Sequence, residues 1–172
     1  PEAGLCRVIC YTPDHSLTMA GMSPGEIEPV VETWTAQFTE LAARADIGAV
    51  TIFENRGEMM GASNPHPHGQ IWAQQHVPNE QVREGDRQRE WFAAHGETLL
   101  ASYLRRELAA AERIICANET FVALVPFWAA WPFEALVLPR RSVTGLDELT
   151  STERADLLQA KEEGLAEHVI YD

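Results

Sequence analysis

The chain has 172 residues, a formal net charge of −13 and 45% hydrophobic residues, enough apolar material for one compact domain or two small lobes. The surplus of acid excludes a broad nucleic-acid or anionic-membrane face, because nothing would neutralise a polyphosphate backbone, although a single nucleotide at a local site stays compatible. Three cysteines, Cys6, Cys10 and Cys116, are too few for a disulfide framework and read as a reducing, cytoplasmic setting.

No run approaches the roughly 18 apolar residues of a membrane helix, and the first residues carry neither the basic nor the apolar region of a signal peptide. The chain starts with Pro1 and reads as strand almost at once, which leads us to expect part of a longer protein. Leu5 to Tyr11, "LCRVICY", is apolar and β-branched enough for a mostly buried strand, and Pro13 with Asp14 ends it in a turn. Ser23, Pro24 and Glu26 supply an N-cap, a first-turn proline and a capping-box acid. Ile27, Val30, Val31, Trp34, Phe38 and Leu41 then share one helix face, so a helix is predicted to about Arg44.

"GAVTIFEN" (Gly48 to Asn55) reads as a second strand, "RGEMMGASNP" as a glycine-bearing loop, and "GQIWAQQHV" (Gly69 to Val77) as a third strand. Beyond Pro78 the charged "NEQVREGDRQREWFAAHG" and then "ETLLASYLRRELAAAER" predict two helices. Short strands are predicted near Ile114 to Ala117, Phe121 to Val125 and Glu134 to Leu138, and a Thr150–Glu153 capping pair opens a final helix. This order predicts an α+β fold with a mainly antiparallel sheet and packed helices. The division falls near Pro78, giving lobes of residues 1–78 and 79–172.

The segment "SNPHPHGQIW" (Ser63 to Trp72) sets two histidines in a stretch poor in helix formers. In a strand, positions i and i+2 share a face, so His66, His68 and Gln70 would project together. Pro67 cannot donate to a ladder, and Gly69 would let backbone approach a ligand. A nucleophilic imidazole beside a neutral amide donor suits phosphoryl transfer, since the amide can hold a phosphoryl oxygen without competing for the proton.

"FENRGEMMGASNPHPHGQIWAQQHVPNE" (residues 53–80), with "RVICYTPDHS" (7–16) and "LVPFWAAWPFEALVLPR" (124–140), resembles the galactose-1-phosphate uridylyltransferase family, a branch of the histidine-triad superfamily. The resemblance implies a histidine-triad-like fold in which the chain spans the end of one lobe and the start of a second. It implies a ping-pong exchange of UDP-glucose and galactose 1-phosphate for glucose 1-phosphate and UDP-galactose. By matching positions, His68 would be the nucleophile that carries the uridylyl group and Gln70 would hold the phosphoryl oxygens. Asn55 and Ser63 would contact phosphates, Gly61 would allow close backbone approach, His15 and His66 correspond to ligands of a structural zinc, and Glu84 to a ligand of a second metal, iron or zinc.

The chain departs from the family pattern. It has no Cys-x-x-Cys pair to complete the zinc site; Cys6 and Cys10 are four apart and read as buried thiols facing one side. Part of the uridine enclosure and the histidines that join the Glu84-type ligand also have no counterpart here, His168 standing in the wrong context, and Ala62 replaces a common cysteine. We therefore expect a homodimer or a complementary N-terminal chain. The alternatives are a non-catalytic or partner-dependent half-subunit, and a related nucleotidyltransferase using ADP-sugars or dinucleoside polyphosphates. "PFWAAWPFE" (Pro126 to Glu134) could offer a sugar or base platform but reads better as core strand and turn. His76 and His95 have no evident partners in the sequence, and Arg105 with Arg106 reads as a solvated helix face.

Overall fold

The structure is a computed structural model describing residues 2–62 and 64–165, with side chains to residue 160. Ser63 and His168 lie outside the described residues. The chain divides into two units, Pro1–Val82 and Arg83–Asp172.

The first unit contains β1 (Gly4–Cys10), α1 (Pro24–Ala42), β2 (Ala49–Phe53) and β3 (His68–Gln74). Helix α1 begins where the sequence demands it. The Ser23 N–H and hydroxyl both donate to Glu26 Oε2, at 2.8 and 2.7 Å, and Pro24 occupies the first helical position. The three strands form an antiparallel sheet in the order β1-β3-β2. One face is closed by Leu41 of α1, which packs with Ile71, Ala73, Leu5, Ile9, Val50 and Ile52. Burying each large aliphatic side chain here is worth about 1.5–3 kcal/mol.

The other face stays open, which corrects the expectation of a mostly buried first strand. Cys6, Val8 and Cys10 are exposed, Val8 at 65%. Alternation places every second residue of β1 away from α1, so a strand of apolar composition is covered on one side only. The cysteines do face one side, but they are not buried.

The second unit carries most of α2 (Asn79–His95), then α3 (Leu99–Ala110), β4 (Ile114–Ala117), β5 (Phe121–Leu124), β6 (Leu136–Pro139) and α4 (Ser151–Leu165). Its strands form an antiparallel meander, β4-β5-β6, with a register irregularity between Ile114 and Cys116. Strand β5 is buried along its whole length. Val122 and Leu124 pack with Leu104 of α3 and Leu138, while Phe121 packs with Leu149 and with Ala160 of α4. Thr150 and Glu153 cap α4 as predicted: the Thr150 N–H and hydroxyl donate to Glu153 Oε2 at 2.8 and 2.9 Å.

The aromatic stretch after β5 is not core. Phe127, Trp128, Trp131 and Phe133 are all exposed, Trp131 at 77%. The loop is folded by polar contacts to its own backbone, with Glu134 Oε2 accepting from Ala130 N–H at 2.8 Å and Trp131 N–H at 3.2 Å, and Tyr103 Oη accepting from Phe127 N–H at 2.9 Å. Apolar composition there does not translate into burial. The two histidines left without evident partners in the sequence find them: His76 lies 3.4 Å from the Glu2 carboxylate and His95 stacks on Trp91. Arg105 and Arg106 are exposed on α3 as read, Arg105 pairing with Glu97 at 2.6 Å. The α+β architecture and antiparallel pairing stand as read from the sequence. Among the described residues no helix is long and apolar enough to cross a membrane.

Candidate active site

Strand β3 is central in its sheet, and its open face carries two of the candidate site residues, His68 and Gln70. The register places His68 opposite Cys10, Gln70 between Val8 and Phe53, and Trp72 between Cys6 and Thr51. Because paired residues share a face in an antiparallel sheet, His68, Gln70 and Trp72 stand in one row away from α1. Trp72 meets Phe53 edge-on with ring centroids 5.1 Å apart.

His68 is the first residue of the strand, and its Nδ1 lies 2.7 Å from the backbone carbonyl oxygen of His66. A carbonyl only accepts, so Nδ1 carries the proton and donates. In the neutral ring the lone pair is then left on Nε2. That arrangement presents a nucleophilic nitrogen with its tautomer fixed from behind.

His66 does not join this row. It precedes β3, so strand alternation holds for His68 and Gln70 but not for the histidine pair. Its backbone N–H donates to Asn64 Oδ1 at 3.0 Å, and its ring turns to His15, with the two Nδ1 atoms 2.9 Å apart and centroids 4.4 Å apart. His15 is held in a polar turn where Ser16 N–H and hydroxyl donate to Asp14 Oδ1 at 2.8 and 2.7 Å. Those donors, the Ser16 N–H foremost, lower the Asp14 pKa.

The pairing of His15 and His66 brings together two groups 51 residues apart in sequence. A closed zinc site takes four ligands. Among the described residues no group of three or more His, Cys, Asp or Glu is placed to hold a metal. Cys6 and Cys10 lie on the open face, and Glu84 is exposed on α2 in the second unit. The described residues therefore supply two imidazoles and not a complete zinc site.

Asn55 lies two residues past Phe53, the last residue of β2 and the partner of Gln70. The β2–β3 pairing ends at Phe53, so Asn55 lies just beyond the ladder. The loop between β2 and β3 turns through Glu58–Met60, flanked by Gly57 and Gly61, both at φ +82°. Gly61 is required by that left-handed backbone, and its N–H donates to Glu58 O at 3.0 Å.

Gly69 has a different role from the one its sequence context suggests. Its bare side faces Tyr11 rather than an open ligand space: a Cβ there would sit 3.0 Å from Tyr11 Cζ and closer still to the hydroxyl. Tyr11 was not legible as part of the site. The available signal was a glycine inside a strand beside His68, which asks what fills the missing side chain's space.

The geometry is that of an antiparallel α+β fold presenting a tautomer-fixed histidine beside an amide. A family model described as "Galactose-1-phosphate uridyl transferase, N-terminal domain" matches residues 1–78, and one described as the C-terminal domain of the same enzyme matches residues 84–168. The galactose-1-phosphate uridylyltransferase of Haemophilus influenzae is 49% identical over 154 residues, covering 90% of this chain and 44% of that protein. The Rattus norvegicus protein of the same name is 46% identical, covering 90% of this chain and 40% of its own length. A solved uridylyltransferase superposes with a TM-score of 0.83 at 30% identity, covering 91% of this chain and 49% of its own. The chain belongs to the galactose-1-phosphate uridylyltransferase family, and it spans less than half the length of these curated relatives.

Proposed function

We propose that the chain carries the uridylyl-transfer centre of a UDP-glucose–hexose-1-phosphate uridylyltransferase, with His68 as nucleophile. The observation behind this reading is the 2.7 Å bond from His68 Nδ1–H to the His66 carbonyl, which leaves Nε2 as the attacking atom on the same face as Gln70. Nε2 attacks the α-phosphorus of UDP-glucose. An N–P bond forms, the bridging P–O bond breaks, and its electron pair leaves with glucose 1-phosphate. A phosphate oxygen of galactose 1-phosphate then attacks the same phosphorus, the N–P bond breaks, and UDP-galactose departs with its electron pair returned to the ring.

Each residue has a distinct part. As the ring becomes cationic in the phosphoramidate, the His66 carbonyl dipole stabilises it through Nδ1–H. The Gln70 amide donates to a non-bridging oxygen as charge develops there. Asn55 and Ser63 hold phosphates, by the family match. His15 and His66 provide two ligands for a structural zinc, and Glu84 one ligand for an iron or second zinc, with the remaining ligands coming from outside the described set. The protein works in the cytoplasm as a homodimer or with a complementary chain.

Intact-mass measurement after incubation with UDP-glucose tests the reading. One added uridylyl group in the wild-type chain and none in His68→Ala is the expected result, with UDP-glucose preferred to ADP-glucose. An adduct that persists in His68→Ala would remove His68 from its role. No adduct in the wild type, alone or mixed with a relative's missing portion, would remove the transfer reading altogether.

A further inference from the structure

One residue, Tyr11, touches the chain on both sides of His68. Tyr11, one position past β1, donates its N–H to the carbonyl of Pro67 at 3.0 Å, extending the β1–β3 ladder beyond the start of β3. Its ring lies against the bare Cα of Gly69 on the opposite face of the sheet from His68 and Gln70. Pro67 and Gly69 are the two chain neighbours of the nucleophile. The ring cannot drift away, because Trp34 of α1 abuts it edge-on at a centroid distance of 5.9 Å. Tyr11 is 8% exposed. Burial, and next the Glu54 carboxylate beside the hydroxyl, push the phenol pKa upward. The ring packs between Gly69 and Trp34.

We propose that Tyr11 is a positioning residue for the transfer reaction, its backbone N–H and its ring together fixing the level of β3 so that His68 Nε2 and the Gln70 amide keep a set separation. This rests on the uridylyl-transfer reading of His68. The first position of a strand has ladder support on one side only, and a nucleophile there is prone to tilt. A misplacement of about 1 Å at a reacting group can cost about 100-fold in rate. A side chain at residue 69 would push against Tyr11 and lift that part of the strand.

The test uses the 172-residue chain as wild type, Gly69→Ala, and Gly69→Ala combined with Tyr11→Phe. Two quantities are followed: the single-turnover rate of uridylylation with its half-saturating UDP-glucose concentration, and the ¹⁵N NMR signature of the His68 ring, which reports protonated Nδ1 and free Nε2. Gly69→Ala is expected to slow uridylylation about 100-fold while half-saturation moves less than about two-fold. Removing the crowding hydroxyl in the double variant should recover about ten-fold of that loss and return the ring signature toward wild type. A wild-type rate in folded Gly69→Ala, or equal rates in the single and double variants, would overturn the proposal. Should Gly69→Ala fail to fold, Tyr11→Leu, which keeps Gly69 but removes the flat ring, is read in the same way, and an unchanged rate and ring signature there count against positioning. If the wild type forms no uridylyl adduct, the reaction reading fails by itself. The ring signatures across the variants still decide whether Tyr11 sets His68.

Discussion

Strands β3 and β5 hold the same place in their units, each the middle of a three-stranded antiparallel sheet. They differ in what covers them. Strand β5 is sealed on both faces, by Leu104 and Leu138 on one and by Leu149 and Ala160 on the other. Strand β3 is sealed on one face only, by Leu41 and its neighbours, and its other face presents His68, Gln70 and Trp72. The doubly covered strand is all apolar, FVAL, whereas the singly covered one alternates Ile71 and Ala73 with reactive or polar groups. Anchorage on one side is what frees the other for chemistry.

The sharpest way to break this comparison is in the sealed strand. Leu124 is fully buried, so Leu124→Ala should cost about 2–5 kcal/mol through lost transfer energy and a residual cavity. Hydrogen exchange of second-unit amides, followed through a denaturant titration, would measure it. A cost under about 1 kcal/mol would mean that the site collapses around the gap and that double coverage is not what holds β5.

On the open strand the balance reverses, with function lost and stability kept. Gln70→Ala should lower the uridylylation rate about 10²- to 10³-fold, the usual loss of one oxyanion donor, while the thermal midpoint stays close to wild type. Single-turnover kinetics beside calorimetry would show the split. Equal loss of stability and rate would make Gln70 a packing residue.

Much of this contrast was legible beforehand. Capping residues declare themselves locally, so Ser23–Glu26 and Thr150–Glu153 gave helix starts that the structure reproduces. Alternation placed Gln70 with His68 correctly. What could not be read was coverage. "LCRVICY" and "PFWAAWPFE" look apolar enough to be buried, yet Cys6, Val8, Cys10 and Trp131 are exposed, because composition says nothing about which neighbour arrives. The Tyr11–Gly69 contact was hidden, and the His15–His66 pair was legible only through the family resemblance, since both depend on distant backbone segments converging.

An acid titration sharpens the second unit further. The Arg141 guanidinium, 2.9 Å from Glu153 Oε2, is the first cause, and the Thr150 N–H the second, of a Glu153 pKa pulled down to about 2. A carboxyl depressed on folding stabilises above its unfolded value of about 4.3. That contribution disappears as pH falls through the folded value. Arg141→Met should therefore raise the pH at which α4 and its capping turn come apart, with the difference growing between about pH 2 and about pH 4 and level above that, where Glu153 is charged in both states. Circular dichroism between about pH 6 and pH 2 would show it, and superimposable acid-unfolding curves would mean that solvent screens the pair completely.

The smallest effect belongs to Trp72. It is 44% exposed on the open face, and its one described ring contact is the edge-on meeting with Phe53. Trp72→Gln should cost about 0.5–1.5 kcal/mol, the worth of one aromatic pair. The same denaturant titration and hydrogen exchange, now on first-unit amides, would measure it. A cost approaching the roughly 2–5 kcal/mol expected for Leu124→Ala would mean that the face is covered in solution, since a half-exposed ring cannot lose that much by itself. Coverage of that kind would come from another chain seated on the open face. It would make β3 resemble β5 everywhere except at the His68 end, where the proposed transfer requires an opening.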